Sequence, residues 1–90
     1  MPYIVPEKRV KYNPIVDQLV EELKQDPDNF EGNMNYIIST MMIKYLNETN
    51  SGNYKTFNAL CGMLTCTKDE LYRRVIAPYE QMKMQENGDL

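Results

Sequence analysis

The densest group of side chains able to do chemistry is Tyr72-Arg73-Arg74, with Lys68 one turn before it and Tyr79 and Lys83 following. Guanidinium forks pair with phosphate oxygens and tyrosine rings stack on planar bases, so this group suits an anionic, planar ligand. The same residues also fit a solvated basic face near a helix C-terminus, where cations complement the helix dipole. A second group, Gly32-Asn33-Met34-Asn35-Tyr36, sits where a helix is expected to start. Free backbone amides, the Asn33 and Asn35 amides and the Tyr36 hydroxyl would there converge on a polar ligand, the plainer alternative being that Asn33 is an N-cap.

Catalytic chemistry finds little to work with. The 90 residues contain no histidine, which removes the usual general base, the usual metal ligand and any Ser-His or Cys-His dyad. Cys61 and Cys66 have no base to activate them; five residues apart on a helix they stand about 140° apart, unable to bridge, and read as buried, reduced structural thiols. Adjacent carboxylates such as Glu21-Glu22 and Asp69-Glu70 diverge by about 100° on a helix and make poor acid-base partners. No metal-ligand spacing is present. The expectation is a non-enzyme with no catalytic residues, no cofactor and no metal.

The elements that would position these groups read as all-α. Asn13 as N-cap and Pro14 at the first helical position predict a first helix over about 14–25, with Ile15, Val16, Leu19, Val20 and Leu23 on one face. Met34, Ile37, Ile38, Met41, Met42, Tyr45 and Leu46 predict a second over about 33–47, its methionines read mainly as core. Phe57, Leu60, Cys61, Leu64, Leu71, Tyr72 and Val75 stay in phase and predict one long helix over about 53–77, a break near Thr67 being the alternative because Thr67-Lys68-Asp69-Glu70 resembles a capping box. Gly62 becomes a close-approach point on that helix. Pro78 kinks or ends it, leaving a short helical tail and a frayed end over 85–90. Residues 1–12, with prolines at 2 and 6, read as an extended arm of what is otherwise a single helical domain.

A net charge of -3 provides no field to attract double-stranded DNA or an anionic membrane, and no apolar run approaches the roughly 18 residues of a spanning helix. The opening residues lack a signal-peptide pattern, so the expected location is the cytoplasm. Seven methionines and seven tyrosines exceed what so thin a core can hold, which predicts that some face a partner, most simply a second copy of the chain.

The stretch Glu70-Leu71-Tyr72-Arg73-Arg74-Val75-Ile76-Ala77-Pro78-Tyr79-Glu80, then Lys83 and Glu86-Asn87-Gly88-Asp89, resembles a family of small proteins of about 90 residues from bacteria and tailed phages, described only as a domain of unknown function. Met1-Pro2-Tyr3-Ile4, Asn35-Tyr36-Ile37 and Asn58-Ala59-Leu60-Cys61-Gly62-Met63-Leu64 are similar to it as well. The resemblance implies kinship over most of the chain and carries over no catalytic residue. Its phage side implies an analogy of profile with small oligomeric phage proteins that sequester nucleotide immune signals in the host cytoplasm. The function expected is therefore a homo-oligomer binding a small anionic nucleotide. The alternative is an adaptor or inhibitor docking a host or phage enzyme through its Met- and Tyr-rich surface.

Overall fold

The computed structural model describes residues 2–90 and is 84% helical, with no strand among them. Helix α1 runs Pro6–Leu23, α2 Phe30–Thr49, α3 Tyr54–Leu71 and α4 Ala77–Asn87. A single 3-10 turn, Pro27–Asn29, leads into α2, and the π-helical turn Tyr72–Ile76 joins α3 to α4. The last three segments are one continuous rod, 54–87, about 50 Å long at 1.5 Å per residue. The all-helical expectation of three main helices, the third long and bent, holds.

Several boundaries differ, each for a local reason. Only residues 2–5 precede the first helix, turning tightly at Tyr3 before an extended Val5, and Met1 of the expected arm lies outside the described residues. The chain turns helical at Pro6, whose fixed φ suits a first helical position just as Pro14 would, with Val5 extended before it and Glu7 in the first turn. Pro14 is then an interior proline and Asn13 is no cap. Helix α2 starts at Phe30, so Gly32 and Asn33 lie inside its first turn. It ends at Asn50, whose left-handed φ of 51° lets the Ser51 amide bond the Leu46 carbonyl at 3.1 Å.

Nothing breaks at Thr67. Its hydroxyl donates back to the Met63 carbonyl at 2.9 Å, the bond of a mid-helix threonine, and Asn53 is the cap that starts α3, accepting from the Thr56 amide at 3.0 Å. Nor does Pro78 end the rod. Its ring and missing N–H are incompatible with a regular bond to the Arg74 carbonyl, and the chain widens by one residue so that the Ala77 amide reaches the Tyr72 carbonyl instead. The helix then continues to Asn87, past the point where fraying was expected.

The helices meet sparingly. Leu19, Leu23, Ile37, Ile38, Met42, Leu46 and Leu60 are half-buried, and no described residue is fully buried. The expected core placements of Met34 and Met41 are corrected: both are exposed, with Met42 alone of the three turned inward. Cys61 and Cys66, expected to be buried, are likewise free and exposed. Gly62 has no atom within 4 Å of where a Cβ would sit, so it marks no close approach. Gly62→Ala is therefore expected to stabilise the chain by about 1 kcal/mol, read as a raised thermal midpoint.

The consequence is an open molecule. A chain of 10.6 kDa is expected to expose about 5,500 Å² when folded alone, whereas this one exposes 8144 Å². Its radius of gyration is 16.7 Å, against about 12 Å for a compact chain of this length.

Candidate functional site

The rod and α1 are tied together through one residue of the arm, Tyr3. A tight turn, Ile4 amide to Pro2 carbonyl at 3.0 Å, presents its ring towards the end of α3. The phenol donates to Glu70 Oε1 and accepts from Arg73 Nη2 at 2.9 Å and Arg74 Nη1 at 3.5 Å. Arg73 also bonds Glu70 Oε1 at 2.5 Å, and Arg9 Nε on α1 fixes the arm by donating to the Ile4 carbonyl at 2.7 Å. Tyr3 thus stands between two clefts of opposite character.

On one side Pro2, Tyr3, Cys66, Asp69, Glu70 and Arg73 line a cleft of about 240 Å³, with two carboxylates against one guanidinium. The other cleft, about 340 Å³, is lined by Pro2, Tyr3, Ile4, Arg9, Tyr12, Asn13 and Arg74. It has two guanidiniums, two phenols and an amide, and no carboxylate. Lys11 is outside the lining, its Nζ lying 5.2 Å from the centre of the Tyr12 ring.

The phenol hydrogen bond from Tyr3 is the main cause that holds the Glu70 carboxyl below its ordinary value of 4.5; desolvation opposes it, and the Arg73 guanidinium adds to the lowering. The same partners, Glu70 first, raise Arg73 further above its ordinary value. Because the Glu70 value is depressed on docking, the contact is fully present above pH 4.5 and is lost as pH falls through the lower, docked value. An NMR titration of the Glu70 carboxyl is expected to show this low midpoint in the native chain and a return towards 4.5 in Tyr3→Phe.

The sequence-predicted residues divide among several places. Arg73 and Arg74 converge on Tyr3, as above. Tyr72 turns away, donating to Glu80 Oε1 at 2.6 Å, and that carboxylate raises the Tyr72 phenol above its ordinary value. Tyr79 lies further along α4 under Lys83 Nζ, 5.7 Å from its ring centre. Lys68 is exposed on α3 and lines neither cleft. Asn33 and Tyr36 line one small cleft with Glu22, Leu23 and Ile37, whereas Asn35 lies on another side of α2 and accepts from Ser39; Asn33 also donates to Asp26 Oδ2. Asp26, bonded by Asn33 and then Asn29, is held below its ordinary value. Asn33 is thus occupied with the turn before α2.

Sequence reasoning missed Arg9, Tyr12 and Asn13. The signal was present, since these three follow the i, i+3, i+4 rule of one helical face, but it is visible only once the helix is started at Pro6. Among the described residues no group of acidic or cysteine side chains could hold a metal, and no helix is long and apolar enough to cross a membrane.

An all-helical, open chain with a small cationic and aromatic cleft at the junction of its arm, first helix and bent rod is the class of protein these features define. The chain belongs to the family described as a domain of unknown function, DUF6899, which matches residues 1–90. No curated protein and no solved structure matches it.

Proposed function

We propose that this chain is a non-catalytic, self-associating binding protein whose cleft between Arg9, Tyr12, Asn13, Arg74 and Tyr3 takes a small anionic nucleotide. The composition of that cleft carries the reading: two guanidiniums with two phenols and no carboxylate among the lining residues. Arg9 uses only its Nε and Arg74 only Nη1, in a long 3.5 Å contact to Tyr3, so both outer nitrogens of Arg9 and Nη2 of Arg74 remain for phosphate oxygens. Tyr3 and Tyr12 supply ring faces for a base, and the Asn13 amide supplies a donor and an acceptor. The volume, about 340 Å³, is at the lower end of small-ligand sites.

Arg73 has a lesser part in this reading, because Glu70 already neutralises it. In its most specific form the protein is a phage counter-defence protein that sequesters a nucleotide immune signal in the host cytoplasm, binding it without turning it over. Calorimetry with a cyclic dinucleotide, ADP-ribose and inorganic phosphate tests the reading. Heat with either nucleotide, and recovery of that nucleotide unchanged, supports it; no heat with any of the three overturns the ligand, and a hydrolysed product overturns the non-catalytic part.

A further inference from the structure

Helix α2 carries an apolar stripe that the protomer leaves about half exposed, with Leu64 of α3 beside its Phe30 and Met34 end. Phe30, Met34, Met41 and Tyr45 are 58%, 43%, 60% and 59% exposed. At 100° per residue they fall within about 60° of one another, a single narrow seam along four turns of helix. Their spacings, four, seven and four residues, read the same from either end, and so does their order of aromatic, methionine, methionine, aromatic. A seam with that symmetry is self-complementary under a two-fold rotation, the requirement for an isologous contact between identical chains.

We infer that α2 is the self-association helix of this protein, pairing antiparallel with α2 of a second copy about a two-fold axis that passes between Ile37 and Ile38. Met34 then lies opposite Met41 of the second copy, and Phe30 opposite its Tyr45, each contact made twice. This deepens the self-association part of the proposal above and is independent of the ligand. The area supports a second copy as the occupant: the molecule as a whole exposes roughly 2,600 Å² more than a compact monomer would, about three times the 800 Å² or so that each partner buries in a stable interface, so surface on and around α2 is available for one. Methionine at the two inner positions suits such a contact, since its unbranched thioether fits an irregular facing surface.

Site-directed cross-linking tests the register. In a background with Cys61→Ser and Cys66→Ser, protein carrying Met34→Cys is mixed with protein carrying Met41→Cys and oxidised with diamide. The expected result is a disulfide-linked pair in the mixture and little in either protein alone, because two copies of position 34 would be offset by seven residues, about 10 Å, beyond disulfide reach. Efficient cross-linking of the Met34→Cys protein alone would overturn the antiparallel register. No cross-link in a mixture that light scattering shows to be oligomeric would overturn α2 as the interface while leaving self-association standing. A mass of 10.6 kDa at every concentration would remove both. As a second readout, Met41→Glu is expected to raise the dissociation constant at least tenfold with the helical circular dichroism signal retained; unchanged assembly would count against the seam.

Discussion

Replacing Arg9 and Arg74 together by alanine is expected to weaken binding of a nucleotide ligand by two orders of magnitude or more, with helical content unchanged. A hydrogen bond to a charged group contributes about 1.5–3 kcal/mol, so losing two charged partners corresponds to roughly 3–6 kcal/mol, or at least a hundredfold in affinity. Both side chains are exposed, on helices whose formation does not depend on them. Arg73→Ala is expected to do less, because that guanidinium already faces Glu70 at 2.5 Å and its loss also removes a partner from Tyr3. Calorimetric titration of the two variants decides the matter. If Arg73→Ala abolished binding while the double variant bound normally, the acidic cleft would be the site instead.

The second large effect is expected at Pro78, where alanine restores the missing amide and removes the ring from the helix interior. The gain is up to ~3 kcal/mol, read as a higher thermal midpoint. A geometric signature accompanies it. Residues eight apart on a regular helix are about 80° out of line, and the one-residue widening at 72–76 takes back about 100°, which is what brings Tyr72 onto the same side as Glu80. In Pro78→Ala the two are expected to separate, and the Tyr72 phenol, raised by Glu80 in the native chain, returns towards its ordinary value of 10.0. Its titration followed by NMR of ring-labelled tyrosine, which resolves Tyr72 from the other six, reports this directly. A raised value persisting in the variant would show that the wide turn does not depend on the proline.

The helices were legible because three apolar stripes keep a 3.6-residue period, a signal that depends only on which side chains leave water. The start of α1 was not, since local preference favours Pro14, which Asn13 would cap, over Pro6, which only Val5 precedes, and the chain starts at Pro6 all the same. That one preference hid half of the candidate site, for Arg9, Tyr12 and Asn13 share a face only if the helix begins at Pro6. Arg73 and Arg74 were found by charge and type alone, whereas the turn of Tyr72 towards Glu80 follows from a change of helical phase that no periodic pattern carries. The pairing of Tyr3 with Glu70 spans 67 positions and has no local signature. Seven methionines and seven tyrosines did announce surplus apolar surface, though not which helix bears it.

The unclosed interior has a consequence for how this protein keeps its shape. If the missing burial is supplied by further copies, stability becomes a matter of mass action: the melting temperature climbs with the logarithm of protein concentration, and simple dilution loosens the molecule as a denaturant would. Newly made chains would pass through a dilute stage of loosely tethered rods and settle only once enough sisters have accumulated. The dose at which the protein is produced would then set not merely how many molecules act, but whether each one is rigid enough to act at all.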